Sequence, residues 1–256
     1  MISVVKIGGN VIDDPAALAA FVQDFACLEG PKILVHGGGK EATRLSSALG
    51  LETNMIEGRR VTDGDTIEVV TMTYAGLINK RIVALLQAAG CNALGFSGAD
   101  GNLMKATRRP AAPIDYGYVG DIDPADVNAP LLQELLSQGI TPVMCAICHD
   151  GKGGLLNCNA DSVASAMAIG AARVAPTTLT YCFEKAGVLA DVDDESSLVP
   201  LITPDSFATL KEQGIITKGM IPKVKNALDS ARQGVAEVRI CKASALLSPT
   251  GTIIRI

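Results

Sequence analysis

The 256-residue chain has no tryptophan and only two histidines, His36 and His149, which leaves few candidates for a general base. It has no excess of positive charge: the net charge is −5 and the isoelectric point about 5.1, with no basic cluster. That argues against nucleic acid as the main partner. No apolar run approaches the length of a membrane span; Ile140 to Cys148, among the longest, already contains a proline. The start lacks a basic segment followed by an apolar one, so no signal peptide is expected. Gly-x-x-x-x-Gly-Lys-Ser/Thr does not occur, which removes the Walker-type phosphate loop. The seven cysteines are an odd number scattered through apolar segments, as expected of reduced thiols in a cytosolic protein. What the chain has in excess is apolar surface, 48% hydrophobic residues with mean hydropathy +0.30. Such a composition suits a buried sheet with helices on both faces.

Strands and helices alternate. Ile2-Ser3-Val4-Val5-Lys6-Ile7 reads as a central parallel strand, ended by Gly8-Gly9-Asn10. Asp14 as N-cap and Pro15 at the first helical position open a helix to about Leu28. Lys32 to His36 is a second strand, running into Gly37-Gly38-Gly39 and a helix to about Leu49. A polar hairpin is expected over Thr53–Thr62. Asp63 caps a long helix whose apolar stripe is Ile67, Val70, Tyr74, Leu77, Ile78, Ile82, Leu85 and Leu86. Ala93 to Phe96 is a strand, and Met104 to Val119 reads as a hairpin lying over a site. A helix is expected over Pro124–Gln138 and one buried strand over Ile140–Cys148. A small-residue helix follows over Ser162–Ala171, then a strand over Val174–Phe183. Two helices, Pro204–Gln213 and Met220–Gln233, and a strand over Val235–Cys241 complete the pattern. The alternation predicts an α/β fold with a mainly parallel sheet, whose ligands bind at the carboxyl ends of the strands.

Lys6, near the end of a buried strand, is costly unless an anion meets it. Gly8 and Gly9 let backbone N–H groups approach that anion. The second glycine turn, Lys223 near a third turn, and Asp161 at a helix start complete a constellation suited to phosphoryl transfer. Two other patterns are weaker. Gly37-x-Gly39-x-x-Ala42 follows a strand as a dinucleotide fingerprint does, but Glu57 sits in a polar loop instead of at a strand end. Cys145-Ala146-Ile147-Cys148-His149 matches a haem attachment pattern, yet residues three apart on a strand face opposite ways, so core thiols are expected.

The order of these motifs resembles the amino acid kinase family, and within it the acylglutamate branch. The residues that carry the resemblance span nearly the whole chain: Lys6-Ile7-Gly8-Gly9, His36-Gly37-Gly38-Gly39, Gly58-Arg59-Arg60-Val61-Thr62, Asn157-Cys158-Asn159-Ala160-Asp161 and Gly219-Met220-Ile221-Pro222-Lys223. The resemblance implies a three-layer αβα sandwich whose mainly parallel central sheet is shared by two lobes. Residues 1–173 would bind an acylated glutamate and dimerise; residues 174–256 would bind ATP. The reaction would turn the side-chain carboxylate of N-acetylglutamate into an acyl phosphate, in arginine synthesis. Lys6 and Lys223 would neutralise the migrating phosphoryl group, Asp161 would brace both, and Gly8 and Gly9 would receive charge on its oxygens. Gly37, Gly38, Arg60, Asn157 and Asn159 would hold the acceptor, Arg60 forking onto its α-carboxylate. The nucleotide side would comprise Glu184, Lys185, Gly187, Leu189, Lys218, Gly219 and Met220. Mg²⁺ would be held mainly by the ATP phosphates, with no protein metal site. The chain starts at the first strand, without the added helix of hexameric members, so a cytoplasmic homodimer is expected.

Two departures stand out. Where the family has a Ser/Thr-Asp pair, this chain has Phe183-Glu184, and Lys218 replaces a residue that is commonly glycine or acidic. An N-succinylglutamate kinase, a kinase for carrier-bound aminoadipate, or a non-catalytic amino-acid or nucleotide sensor on the same scaffold are the alternative readings.

Overall fold

In the computed structural model, which describes residues 1–216 and 220–256, the first strand lies inside an eight-stranded sheet. Its strands are β1 (Ile2–Ile7), β2 (Lys32–His36), β3 (Ala93–Phe96), β4 (Thr141–Cys145), β5 (Thr177–Phe183), β6 (Leu201–Ile202), β7 (Glu237–Lys242) and β8 (Thr252–Ile254). The order is β6-β8-β7-β5-β1-β2-β4-β3. Every neighbouring pair is parallel except β7 and β8. Val4 and Val5 point to opposite faces and both are buried, so each face of β1 is covered. Ile7 pairs with His36 on one side and Cys182 on the other. The turns after β1 and β2 and the end of β5 therefore emerge side by side at the carboxyl edge.

The helices are α1 (Gly9–Asp13), α2 (Pro15–Ala26), α3 (Gly39–Ala48), α4 (Gly64–Ala88), α5 (Ala129–Ser137), α6 (Ala160–Ala172), α7 (Pro204–Glu212) and α8 (Ile221–Arg232). One layer includes α2 and the second half of α4; the other includes α5, α6 and α8 packed together. The Asp14 carboxylate accepts from the backbone N–H groups of Ala16 and Ala17, and that of Asp63 from Thr66, as their sequence positions lead one to expect. In α6 the small residues do what their size allows. A Cβ on Gly170 would lie 2.5 Å from Val127 Cγ1, so the helix sits closer to its neighbour than any larger residue permits.

Three sequence expectations change. The run Ile140–Cys148 is not one strand. It leaves the main sheet after Cys145, and Ile147–His149 joins a second sheet with Leu155–Cys158, Val119–Asp121 and Thr107–Arg108. The expected helix from Pro124 is a short 3₁₀ turn, Pro124–Asp126, then extended Val127, with α5 restarting on Asn128 as N-cap. Pro130 has no N–H to bond to a carbonyl four residues back, so a single helix through this point is disfavoured. Finally, α4 winds as π-helix over Met72–Ile78. The wider turn shifts the phase of the stripe, and Leu77, placed on the buried face by 3.6 periodicity, is exposed. As a continuous helix of 25 residues α4 is also long and apolar enough, by length and composition, to cross a membrane; 44% of its most apolar stretch is buried within this fold.

Candidate active site

Two cavities lie at the carboxyl edge. The smaller, about 170 Å³, is lined by Lys6, Gly8, Gly9, Phe183, Glu184 and Lys223. The larger, about 210 Å³, is lined by Gly37, Gly38, Arg60, Tyr74, Asn157 and Asn159, among others. Residues scattered from position 6 to position 223 thus converge where the strand alternation places a ligand.

Lys6 is buried at the end of β1, and its Nζ lies 2.7 Å from Asp161 Oδ1, in the first turn of α6. The approach is oblique, off hydrogen-bond geometry, and among the described residues that buried oxygen has no hydrogen-bond donor. Asp161 is not the helix cap. Asn159 is: its Oδ1 accepts from the N–H groups of Asp161 and Ser162, leaving its amide NH₂ free to donate. Lys223 Nζ lies 3.9 Å from the centre of the Phe183 ring, and Lys6 Nζ 5.0 Å from the same centre. The two ammonium groups are therefore no more than about 9 Å apart. Burial draws the pKa of Lys223 down, the charges of Asp161 and Glu184 push it up, and Lys6 draws it down again.

The glycines divide into two kinds. A Cβ on Gly38 would fall 2.2 Å from Ile78 Cδ1, so the fold itself demands glycine there. A Cβ on Gly8 would find ordinary contacts, Cys182 O at 3.6 Å and Phe183 Cδ1 at 3.9 Å, and one on Gly9 only Asp13 Oδ2 at 3.5 Å. Packing does not require glycine in the first turn; the space there suits a ligand approaching the backbone.

Arg60, buried in the short hairpin Met55–Ile56 and Arg59–Arg60, donates to Gly39 O, Thr43 Oγ1 and Thr53 Oγ1. All three partners are neutral, so the guanidinium keeps its charge for an anion. Asn157 Nδ2 donates to Thr62 Oγ1, which donates to the Arg60 carbonyl. The chain Asn157–Thr62–Arg60 ties the strand Leu155–Cys158 to the hairpin. Behind the second glycine turn, His36 is fully buried. Asn79 Nδ2 donates to His36 Nε2, so Nδ1 carries the proton and donates to Gly37 O at 2.8 Å. Burial drives the pKa of His36 down to about 4, and the ring stays neutral. Lys40, at the start of α3, bonds Asn10 in α1 and lies 3.8 Å from Asp13, strapping the two glycine turns together.

Of the residues assigned to the nucleotide, Glu184 lines the smaller cavity. Lys185 Nζ bonds Val192 O within the following loop. Gly187 is a packing glycine, with Thr252 Oγ1 2.6 Å from the position of its absent Cβ. Leu189 is buried, and Met220 is the N-cap residue of α8. Lys218 and Gly219 lie outside the described residues. Sequence reasoning had Thr62 only inside a motif, with no role of its own, and Tyr74 only as part of an apolar stripe. It read Phe183 for a lost hydroxyl, not for its ring. Cys145 and Cys148 are buried free thiols, and burial pushes Cys145 up to about 12.

Two ammonium groups lining one cavity with the Gly8–Gly9 turn, beside a pocket holding a guanidinium and amide donors, are equipped to bring one anion against another. This is the equipment of a phosphotransferase working on an anionic acceptor. The chain belongs to the amino acid kinase family, whose model matches residues 1–242. It is 48% identical over 254 residues to the acetylglutamate kinase of Phocaeicola vulgatus, covering 99% of this chain and 98% of that one. It is 51% identical over 245 residues to the acetylglutamate kinase of Cytophaga hutchinsonii, covering 95% and 92%. A crystal structure of a Streptococcus mutans protein superposes with a TM-score of 0.81 at 28% identity, covering 99% of this chain and 98% of that one.

Proposed function

We propose that this chain transfers the γ-phosphoryl group of ATP to the side-chain carboxylate of N-acetylglutamate, giving an acyl phosphate and ADP in arginine biosynthesis. The observation that carries the reading is near-full-length identity of 48% and 51% to acetylglutamate kinases. The site geometry supports it. The acceptor is ionised at neutral pH, so an acceptor oxygen attacks phosphorus with no proton to remove. The obstacle is charge. Lys6 and Lys223 neutralise the three phosphoryl oxygens, Asp161 braces Lys6, and the N–H groups of Gly8 and Gly9 take the charge that develops. In the larger cavity Arg60 takes the α-carboxylate, Asn157 and Asn159 bind the acceptor main chain, and Gly37 and Gly38 hold its reacting end.

Residues 174–256 hold the nucleotide, with Glu184, Lys185, Gly187, Leu189, Lys218, Gly219 and Met220 on that side. Among the described residues no group of three or more His, Cys, Asp and Glu is placed to hold a metal ion. Mg²⁺ would be carried by the ATP phosphates and would supply further charge neutralisation. The working form is a homodimer. Supporting this, β3 is an outer strand of the sheet with Leu94 exposed, and α4, packed beside it, exposes Met72 and Leu77.

The test is a coupled assay with ATP, Mg²⁺ and a panel of N-acylglutamates, trapping the acyl phosphate as its hydroxamate. Hydroxamate from N-acetylglutamate is the expected result. Failure to form it, or a strong preference for N-succinylglutamate, overturns the assignment.

A further inference from the structure

The smaller cavity contains a side chain that the transfer chemistry above does not use. Phe183 is the last residue of β5, half-buried, and its ring faces Lys223 Nζ at 3.9 Å and Lys6 Nζ at 5.0 Å. Its orientation is fixed from behind. Tyr181, two residues back on the same strand face, stacks on it with centroids 6.2 Å apart and planes 12° apart. Tyr181 is itself buried, and its hydroxyl donates to the backbone carbonyl of Asp161. Ring, stack and the backbone of Asp161 in the first turn of α6 are one connected assembly.

The charges explain why a ring there matters. Two ammonium groups within about 9 Å repel, and they line one small cavity of about 170 Å³. The Asp161 carboxylate is in contact with Lys6, and Lys223 feels Asp161 and Glu184 only through space. An aromatic face carries negative potential without net charge. It attracts an ammonium group, and with no net charge it repels an arriving phosphate far less than a second carboxylate would.

We propose that Phe183 is a positioning residue for phosphoryl transfer, its π face holding the Lys223 ammonium, and more weakly that of Lys6, where the migrating phosphoryl group will meet them. The inference rests on the kinase reading above. The ring does not touch the reacting atoms; it acts through the lysines.

The test uses the full chain and separates ring electrostatics from ring shape. Phe183→Leu removes the quadrupole, and turnover should fall about tenfold, within the two- to thirty-fold range of a cation–π contact, with the acceptor KM little changed. Phe183→Tyr should restore turnover to within twofold. Mono-, di- and trifluorinated phenylalanine at position 183 keep the shape while draining the face, and turnover should fall stepwise with each fluorine. If the trifluorinated protein matches the native one, or Phe183→Leu does, the proposal is overturned and the ring is packing only. A readout independent of turnover is the titration of Lys223 by NMR of labelled lysine. Since the ring favours the charged form, its removal should move that titration to lower pH while Lys6, Asp161 and Glu184 stay in place. An inactive native protein with this NMR shift intact would sink the kinase reading and leave the ring–lysine contact standing; an unshifted titration would sink the contact itself.

Discussion

A buried histidine and a buried lysine in one active site answer to opposite demands. His36 is kept neutral, with one ring nitrogen fixed by Asn79 and the other by the Gly37 carbonyl. The unfolded chain protonates this ring near pH 6.5, the folded one only near pH 4. Between those values the unfolded state binds more protons, so stability falls as pH drops from about 6.5 to 4 and levels off below; the loss approaches roughly 3 kcal/mol. Urea unfolding across that window should show it, and His36→Gln should flatten the slope by one proton. Lys6 instead has a carboxylate beside it, Asp161 Oδ1 at 2.7 Å. Lys6→Ala and Lys223→Ala should each lower turnover by roughly two to three orders of magnitude, like loss of an oxyanion donor. Arg60→Ala should raise the acceptor KM far more than the ATP KM; equal rises would remove Arg60 from the acceptor. The glycines provide a paired control. Gly8→Ala should leave the melting temperature nearly unchanged yet cut turnover, because the space it fills belongs to ligand. Gly38→Ala should unfold the protein more readily, by roughly 1–3 kcal/mol, because its Cβ collides with Ile78.

Elements were legible where local chemistry decides them. Asp14, Asp63 and the paired glycines mark starts and stops that the structure respects. They were illegible where a distant partner decides. The π turn in α4 displaces Leu77 from the stripe, and nothing in the local sequence signals it. The departure of Ile147–His149 into a second sheet depends on Leu155–Cys158, which lies further along the chain across a loop. The lysines, glycines and acidic residue of the site could be picked out by residue type. The neutral partners that aim Arg60, Thr43 and Thr53, could not, since only folding brings them together. Packing between elements gives its own prediction. Gly170→Ala should destabilise the fold by roughly 1–3 kcal/mol through collision with Val127, and adding Val127→Ala should recover much of that. Denaturant midpoints of the two single variants and the double variant would decide it; additive losses would mean that the two sites are not in contact.

At the scale of the whole molecule, the outer strand β3 and the exposed apolar side chains Leu77 and Leu94 bear on assembly. Leu94→Glu combined with Leu77→Glu should convert the proposed homodimer into monomers in sedimentation velocity; a native protein that sediments as a monomer would remove the dimer, and a dimer unchanged by the two substitutions would place its contact elsewhere. The sheet itself has a mechanical consequence. β1 is laddered along its length to β2 on one flank and to β5 on the other, and those three strands bear the two glycine turns proposed for acceptor and phosphoryl group, and Phe183. No crease can run through that floor without tearing main-chain bonds. Donor and acceptor must be brought to bonding range by whatever folds down from above, so the amides of Val4 to Ile7 should exchange with deuterium as slowly in the empty protein as in one filled by both substrates.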